Sequence, residues 1–265
     1  MRARMDNRDL TLDILICTVS DRLAGVPGMI LPERDGVRYI VSVQHTGPAQ
    51  EVTIPSALES RPDITIGLLE GLGLSRNRNN AIDMSTADIC LIADDDNRYR
   101  PEYIDTILDT WSTNPDADIL TFQAETLKNE PLHPYPAPYV CSVEISFRRN
   151  SVLEKGLRFD ERFGLGSPLL CAGEEEVFMA DARRAGLNVR YMPEVIVRTE
   201  GATTGISLIG NRTLQITKGA TFRYVYGTCS AVWRSFREAG WYLLHKRANP
   251  FPILFNMLKG IWILR

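Results

Sequence analysis

The chain has 265 residues, 44% of them hydrophobic and 24% charged, and a formal net charge of −3. Such a composition fits one large globular domain, or one domain with an appendage, with enough chain for a sizeable core. The acidic balance argues against nucleic acid as a partner, and no apolar run is long enough to cross a bilayer.

In chain order, strand-like and helix-like segments alternate. LDILICT (Leu12–Thr18) reads as a first buried strand, and VRYIVSVQ (Val37–Gln44) as a second, rich in β-branched and aromatic residues. DITI (Asp63–Ile66) is a short third strand. The segment Ser75–Ser85 is a helix carrying Ala81 and Met84 among polar residues. DICLIA (Asp88–Ala93) is a fourth strand, apolar nearly throughout, as in a sheet covered on both faces. Pro101–Thr113 is a helix with proline in its first turn and Ile104, Leu108 and Trp111 on one side. DILTFQ (Asp118–Gln123) is a fifth strand. Repeated β-then-α order predicts a doubly wound, mostly parallel sheet, which binds ligands beyond the carboxyl ends of its strands.

The second half is less regular. Four prolines make Asn129–Val140 a loop, and YVCSVEISFRRN reads as a strand. Gly173–Gly186 is a helix with Glu174, Glu175 and Glu176 in its first turn, Arg183 and Arg184 in its last, and Gly186 as a stop. The five cysteines (Cys17, Cys90, Cys141, Cys171, Cys229) are widely spaced and form no CxxC pair. That pattern predicts a reducing compartment, with neither a zinc site nor a disulfide framework. The opening MRARMDNRDL has no apolar stretch and does not read as a signal peptide, so the expected location is cytoplasmic.

The segment LIADDDNRYRP sets Asp94, Asp95 and Asp96 at the end of the fourth strand. Packing does not call for three repelling charges there. Hard carboxylate oxygens hold Mg²⁺ or Mn²⁺, and such a cation can neutralise a diphosphate. The plainer alternative is an Asp-rich turn capping the following helix; three acids after a buried strand favour the metal.

Three segments in this order carry a resemblance. LDILICTVSDR, then GLGLSRNRNNAIDMSTADICLIADDD, then FDERFGLGSPLLCAGEEEVFMADARRAG resemble the donor strand, the Gly-x-Ser-x-x-Arg-Asn segment with its Asp-x-Asp motif, and the acceptor loop with its Glu-Asp helix. Together they are similar to the family 2 inverting glycosyltransferases used in bacterial polysaccharide biosynthesis, over about residues 12–205. The resemblance implies the GT-A fold: α/β, with a Rossmann-like, mostly parallel sheet flanked by helices, here followed by a C-terminal helical tail. It divides the chain into a catalytic domain, 1–229, and a basic, aromatic segment, 230–265. Within the first, about 10–125 would bind a nucleotide-sugar, with a UDP-sugar expected, and 126–229 a glycan or lipid-linked acceptor.

The resemblance also implies roles. Asp96 is the better direct ligand for Mn²⁺ or Mg²⁺, Asp94 either ligates too or meets the donor ribose or sugar, and Asp95 does either. Arg78 matches an arginine near the donor diphosphate, although it also reads as a surface arginine on an amphipathic helix. Thr18 and Asp21 match positions around the nucleotide. Glu175 aligns with the general base that deprotonates the acceptor hydroxyl, with Glu174 as the neighbouring alternative; dipole-stabilising acids in a first helical turn are the simpler explanation. Two positions depart from the pattern. Where relatives carry a base-reading Asp after the second strand, this chain has Gln44, able to hydrogen-bond a pyrimidine, and His45, read as a loop histidine. Where relatives often carry a metal-binding His, Glu200 lies nearest, and a salt-bridged surface acid is its simpler reading.

Two rival readings stand beside this one: a nucleotidyltransferase acting on a sugar phosphate, and a non-catalytic binding module of the same fold. The first lacks the expected Gly- and Lys-rich loop in CTVSDRLAGVPG, and a dehydrogenase lacks its Gly-x-Gly-x-x-Gly. From Ser230 onward six Lys and Arg face one acid, a net of +5, which leaves −8 on residues 1–229. Aromatic residues interleave with those cations, so the tail is expected to sit on the anionic inner face of the cytoplasmic membrane. Core helices packed on the catalytic domain, or a homo-oligomer contact, are the alternatives.

Overall fold

The computed structural model describes residues 10–135, 139–200, 208–245 and 247–264. Seven strands make one sheet: β1 (Leu12–Val19), β2 (Val37–His45), β3 (Ile64–Glu70), β4 (Ile89–Asp94), β5 (Ile119–Thr126), β6 (Ile145–Arg148) and β7 (Val189–Thr199). Their order is β3-β2-β1-β4-β6-β5-β7. Every pairing is parallel except the two made by β6, which runs antiparallel to β4 and β5. The helices are α1 (Ser56–Glu59), α2 (Leu74–Met84), α3 (Pro101–Thr113), α4 (Arg149–Glu154), α5 (Glu174–Arg184), α6 (Arg212–Tyr226), α7 (Thr228–Leu244) and α8 (Pro250–Ile261). The α/β class and the mostly parallel sheet follow the sequence reading.

The chain divides into two compact units. The first spans Met1–Leu72, Arg76–Arg158 and Asp181–Gly201 and holds the whole sheet. Its core unites Ile14 and Ile16 of β1, Val41 and Val43 of β2, Ile89 and Leu91 of β4 and Leu120 and Phe122 of β5 with Ile104, Ile107 and Trp111 of α3. Fully covered strands explain why β1 and β4 read as continuous apolar runs instead of alternating ones. The one charge inside β1, Asp13, is completely buried yet fully engaged. It accepts bonds from the Arg38 guanidinium, the Ser85 hydroxyl and the backbone N–H groups of Thr86 and Ala87. A buried charge persists only with such partners.

The expected strand YVCSVEISFRRN is shorter than predicted. Ser142–Glu144 form a 3-10 turn, only Ile145–Arg148 pair in the sheet, and α4 begins at Arg149. The turn is fixed by a capping box: the Glu144 carboxylate folds back to accept from the Cys141 N–H at 2.8 Å, which takes those residues out of the extended conformation. β7 escapes a period-2 reading because it is an edge strand containing Pro193, with register shifts against β5.

The second unit comprises Gly73–Ser75, Phe159–Ala180 and Ala202–Arg265. Here α6 and α8 meet backbone to backbone. A Cβ on Gly219 would collide with the Met257 carbonyl, and one on Gly260 with the Ile216 carbonyl. Close approach lets Phe222 of α6 pack with Ala231 of α7 and Ile253, Met257 and Ile261 of α8. Gly260→Ala is therefore expected to cost about 1–3 kcal/mol through overpacking. Urea unfolding of the purified variant measures it; an unchanged midpoint would contradict the close crossing.

Candidate functional site

The sheet's parallel register sets one row of side chains at its carboxyl edge. Cys17 pairs with Asp94 across β1 and β4, Val19 with Gln44 across β1 and β2, and His45 with Glu70 across β2 and β3. Successive strands run from β1 outward to β3, and β4 then returns to the other side of β1. The switch point therefore lies between β1 and β4, where ligands enter open α/β sheets. Thr18 and the three aspartates stand at this point.

Their partners differ. The Thr18 hydroxyl donates to Asp95 Oδ2 at 2.6 Å, and the Arg22 guanidinium pairs with the other Asp95 oxygen. Asp94 accepts from the Arg78 guanidinium and from the Ser142 hydroxyl, each at 3.3 Å. Arg78 is buried, so its reading as a surface arginine is overturned: α2 carries it inward toward the end of β4. Asn97 ties the turn, its Oδ1 accepting from the Asp94 N–H at 2.9 Å. Among the described residues Asp96 has no comparable cation; its side chain meets the Asn97 amide at 3.4 Å.

The electrostatics follow. Partial burial pushes the Asp96 carboxyl above its ordinary value and the Asp94 charge adds to this, against the opposing pull of Arg22, with Glu200 adding a little more. Asp95 is also raised by burial, against the opposing pull of Thr18 and Arg22. The site thus holds a crowded set of carboxylates of which Asp96 is the least compensated. Among the described residues the three aspartates do not bring three oxygens to one point. The donor set fits a hard divalent cation bound by one or two carboxylates and completed by ligand phosphates, the usual Mg²⁺ arrangement.

Other expected residues scatter around this cluster. Gln44 and His45 are buried at the end of β2, and His45 Nδ1 lies 2.7 Å from the Gly47 carbonyl, as expected of a loop-facing histidine. Asp21 is exposed in the 3-10 segment Ser20–Met29 and meets the Ser20 hydroxyl at 3.3 Å. Glu200 is exposed. Arg22, Asn77 and Ser142 belong to the cluster and escaped the sequence reading. Asn77 is buried and donates to the Thr18 carbonyl at 3.1 Å, and its Oδ1 has no hydrogen-bond partner among the described residues. The run SDR offered Arg22; nothing in the sequence marked Ser142, which reaches Asp94 from across the proline-rich loop.

In the second unit, a glycine-rich loop delivers the glutamates. Gly164 has φ +103°, and a side chain there would press on the Ser75 hydroxyl and the Glu174 carboxylate. Gly173, at φ +87°, lies against Thr221 just before α5. Only glycine suits both positions. Glu174 is buried, while Glu175 and Glu176 are half-buried on the first turn of α5. Burial raises the Glu176 carboxyl; Lys218 opposes the shift, and Glu175 adds to it.

The seven-stranded α/β sheet with acids at its switch point places the chain in the GT-A class. A crystal structure of S. aureus TarS residues 1–349 superposes with a TM-score of 0.59 at 12% identity, over 94% of this chain and 90% of that one. The same protein in complex with UDP-GlcNAc gives 0.57 at 12% identity, over 94% and 80%. A glucosyl-dolichyl phosphate glucuronosyltransferase from Haloferax volcanii is 38% identical over 48 residues, which is 18% of this chain and 15% of that protein. Residues 54–165 match the family described as Glycosyl transferase family 2. The chain therefore shares the GT-A fold of these structures, and its residues 54–165 are similar to family 2 glycosyltransferases.

Proposed function

We propose that the chain transfers a sugar, with inversion, from a nucleotide-sugar to a hydroxyl of a glycan or lipid-linked acceptor in cell-surface polysaccharide synthesis, using Mn²⁺ or Mg²⁺. The observation that supports this reading is the cluster at the β1–β4 switch point, where among the described residues Asp94 and Asp95 each make a direct ion pair and Asp96 makes none. Asp96 and Asp94 would hold the metal, which when bound offsets the charge of the leaving diphosphate. Asp95, fixed by Thr18 and Arg22, would hold the donor loop in place. Arg78 would face the diphosphate, Asp21 the nucleotide, and Gln44 the base. Glu175 would accept the proton of the acceptor hydroxyl, with Glu174 beside it. A UDP-sugar is the favoured donor; the UDP-GlcNAc complex of TarS, a protein of the same fold, supports it. In this reading about 10–125 is the donor half and 126–229 the acceptor half.

Thermal shift against a panel of nucleotide-sugars, with and without Mn²⁺, tests the reading. One donor class should raise the midpoint only when metal is present. Equal shifts with and without metal would remove the cation from the account.

A lipid-linked acceptor draws support from the tail. No described helix is long and apolar enough to cross a membrane. Yet α7 and α8 each bury one face and expose a large apolar one. Trp233, Phe236, Trp241 and Leu244 of α7, with Phe251 and Phe255 of α8, are all exposed, while Ala231, Ala239, Ile253 and Met257 are buried. Arg237 lies over the Trp233 ring at 5.1 Å and Arg247 over Trp241 at 5.5 Å. Rings flanked by guanidinium groups suit an anionic headgroup layer. The full chain should float with anionic vesicles at low salt, less at high salt, and Trp233→Ser with Phe255→Ser should weaken flotation. A full chain that stays in solution at low salt but forms dimers would assign the same face to a homo-oligomer.

A further inference from the structure

The loop between β5 and β6 gathers a second set of metal-ligating groups, far in chemistry from the aspartates. His133 and Glu144 are buried and Cys141 is half-buried. Each offers one ligand atom, and the three atoms lie within 4.8 Å of one another. His133 Nε2 lies 3.0 and 3.1 Å from the two Glu144 oxygens, and with no metal bound it donates its proton to that carboxylate. Its other ring nitrogen, Nδ1, faces the Pro134 carbonyl at 3.4 Å. A bound metal would displace the Nε2 proton, and with Nδ1–H turned to that carbonyl the ring would present a bare Nε2, the arrangement usual in metal-bound histidines. The Glu144 carboxylate is itself oriented by the Cys141 N–H and the Tyr135 hydroxyl.

We propose that His133 Nε2, Cys141 Sγ and a Glu144 oxygen bind one Zn²⁺ ion, distinct from the hard cation assigned to Asp96. A mixed nitrogen, sulfur and oxygen set selects a borderline-soft metal over Mg²⁺ or Mn²⁺. Tetrahedral zinc holds such ligands about 3.5 Å apart, so closure asks only for small side-chain shifts. The Cys141 thiol proton leaves to solvent as the thiolate binds. His133 and Glu144 also line a cavity of about 230 Å³ with Tyr135, Tyr139 and Tyr191, which leaves room for water as a fourth ligand. Bound zinc would tie the proline-rich loop to the 3-10 turn before β6. Linear cysteine spacing gives no sign of this site, because only one of its ligands is a cysteine and the loop joins the other two.

The test uses the tag-free full chain, stripped of metal and then given Zn²⁺ in excess Mg²⁺ so that the aspartates are occupied. After desalting, elemental analysis should find one equivalent of zinc in the wild-type chain and in Asp96→Ala. His133→Ala and Cys141→Ser should retain less than about a tenth of it. Co²⁺ in place of Zn²⁺ should give the wild-type chain a thiolate-to-cobalt charge-transfer band that Cys141→Ser lacks, and that alkylation of the wild-type thiols prevents. The cobalt band decides the question even if a variant fails to fold. Zinc absent from the wild-type chain, or retained equally by Cys141→Ser with no cobalt band, would overturn the site and leave Glu144 as the acceptor of a purely hydrogen-bonded network. Neither result bears on the aspartate cluster.

Discussion

Asp96→Asn should leave a folded protein that has lost at least about a hundredfold in metal-dependent turnover, and Asp96→Ala should behave alike. The amide keeps the shape and removes the charge. Among the described residues Asp96 is the acid of the cluster without a guanidinium or hydroxyl partner, so its loss breaks no ion pair there. The pH dependence separates this from general damage. A carboxyl raised in the folded state binds its proton more tightly there than in the unfolded chain. The metal-free wild-type chain therefore loses stability as pH rises from the ordinary Asp range through the raised value, and regains it as pH falls. Asp96→Asn should flatten that slope, and Mn²⁺ should stabilise the wild-type chain at neutral pH but not the variant. Thermal midpoints across pH, with and without Mn²⁺, read both effects. Full Mn²⁺-dependent activity in Asp96→Asn would remove Asp96 from the metal.

Glu175→Gln should bind donor normally and lose transfer by at least about a hundredfold, the usual scale for a general base. Steady-state kinetics should show the loss in kcat, with little change in donor KM. Glu174→Gln is the control. Glu174 is buried against Gly164, so its substitution should cost stability as well as rate. Glu176, raised by burial beside Lys218, is a second control and should affect transfer less. If Glu175→Gln stays active while Glu174→Gln is dead and folded, the base is one residue earlier.

The parts of this fold governed by burial were legible in the sequence. β1 and β4 are nearly continuous apolar runs because both faces are covered, and Asp94–Asp96 stood out because a strand that apolar should not end in three charges. Pro101 marked the start of α3. What was hidden depended on distant partners. β7 could not be read because an edge strand bearing Pro193 lacks the period-2 signal. The turn at Ser142–Glu144 depends on a buried carboxylate folding back to Cys141, which looks like any strand residue in one dimension. The burial of Arg78 and the reach of Ser142 to Asp94 are tertiary facts, and the polar surroundings of α2 pointed to the surface instead. The closely crossed glycines of α6 and α8 were likewise unmarked, since glycine within a helix pattern signals weakness before it signals contact.

Donor cleavage tests the central claim most directly. The purified chain, incubated with nucleotide-sugars and Mn²⁺ and without acceptor, should slowly release free sugar and nucleoside diphosphate, and Asp96→Asn should not. Release of pyrophosphate from a nucleoside triphosphate and a sugar phosphate would contradict the account and identify a nucleotidyltransferase. Binding of a donor with no cleavage, alone or with any glycan or lipid-linked acceptor, would contradict it equally and leave a sugar-binding module on a GT-A frame.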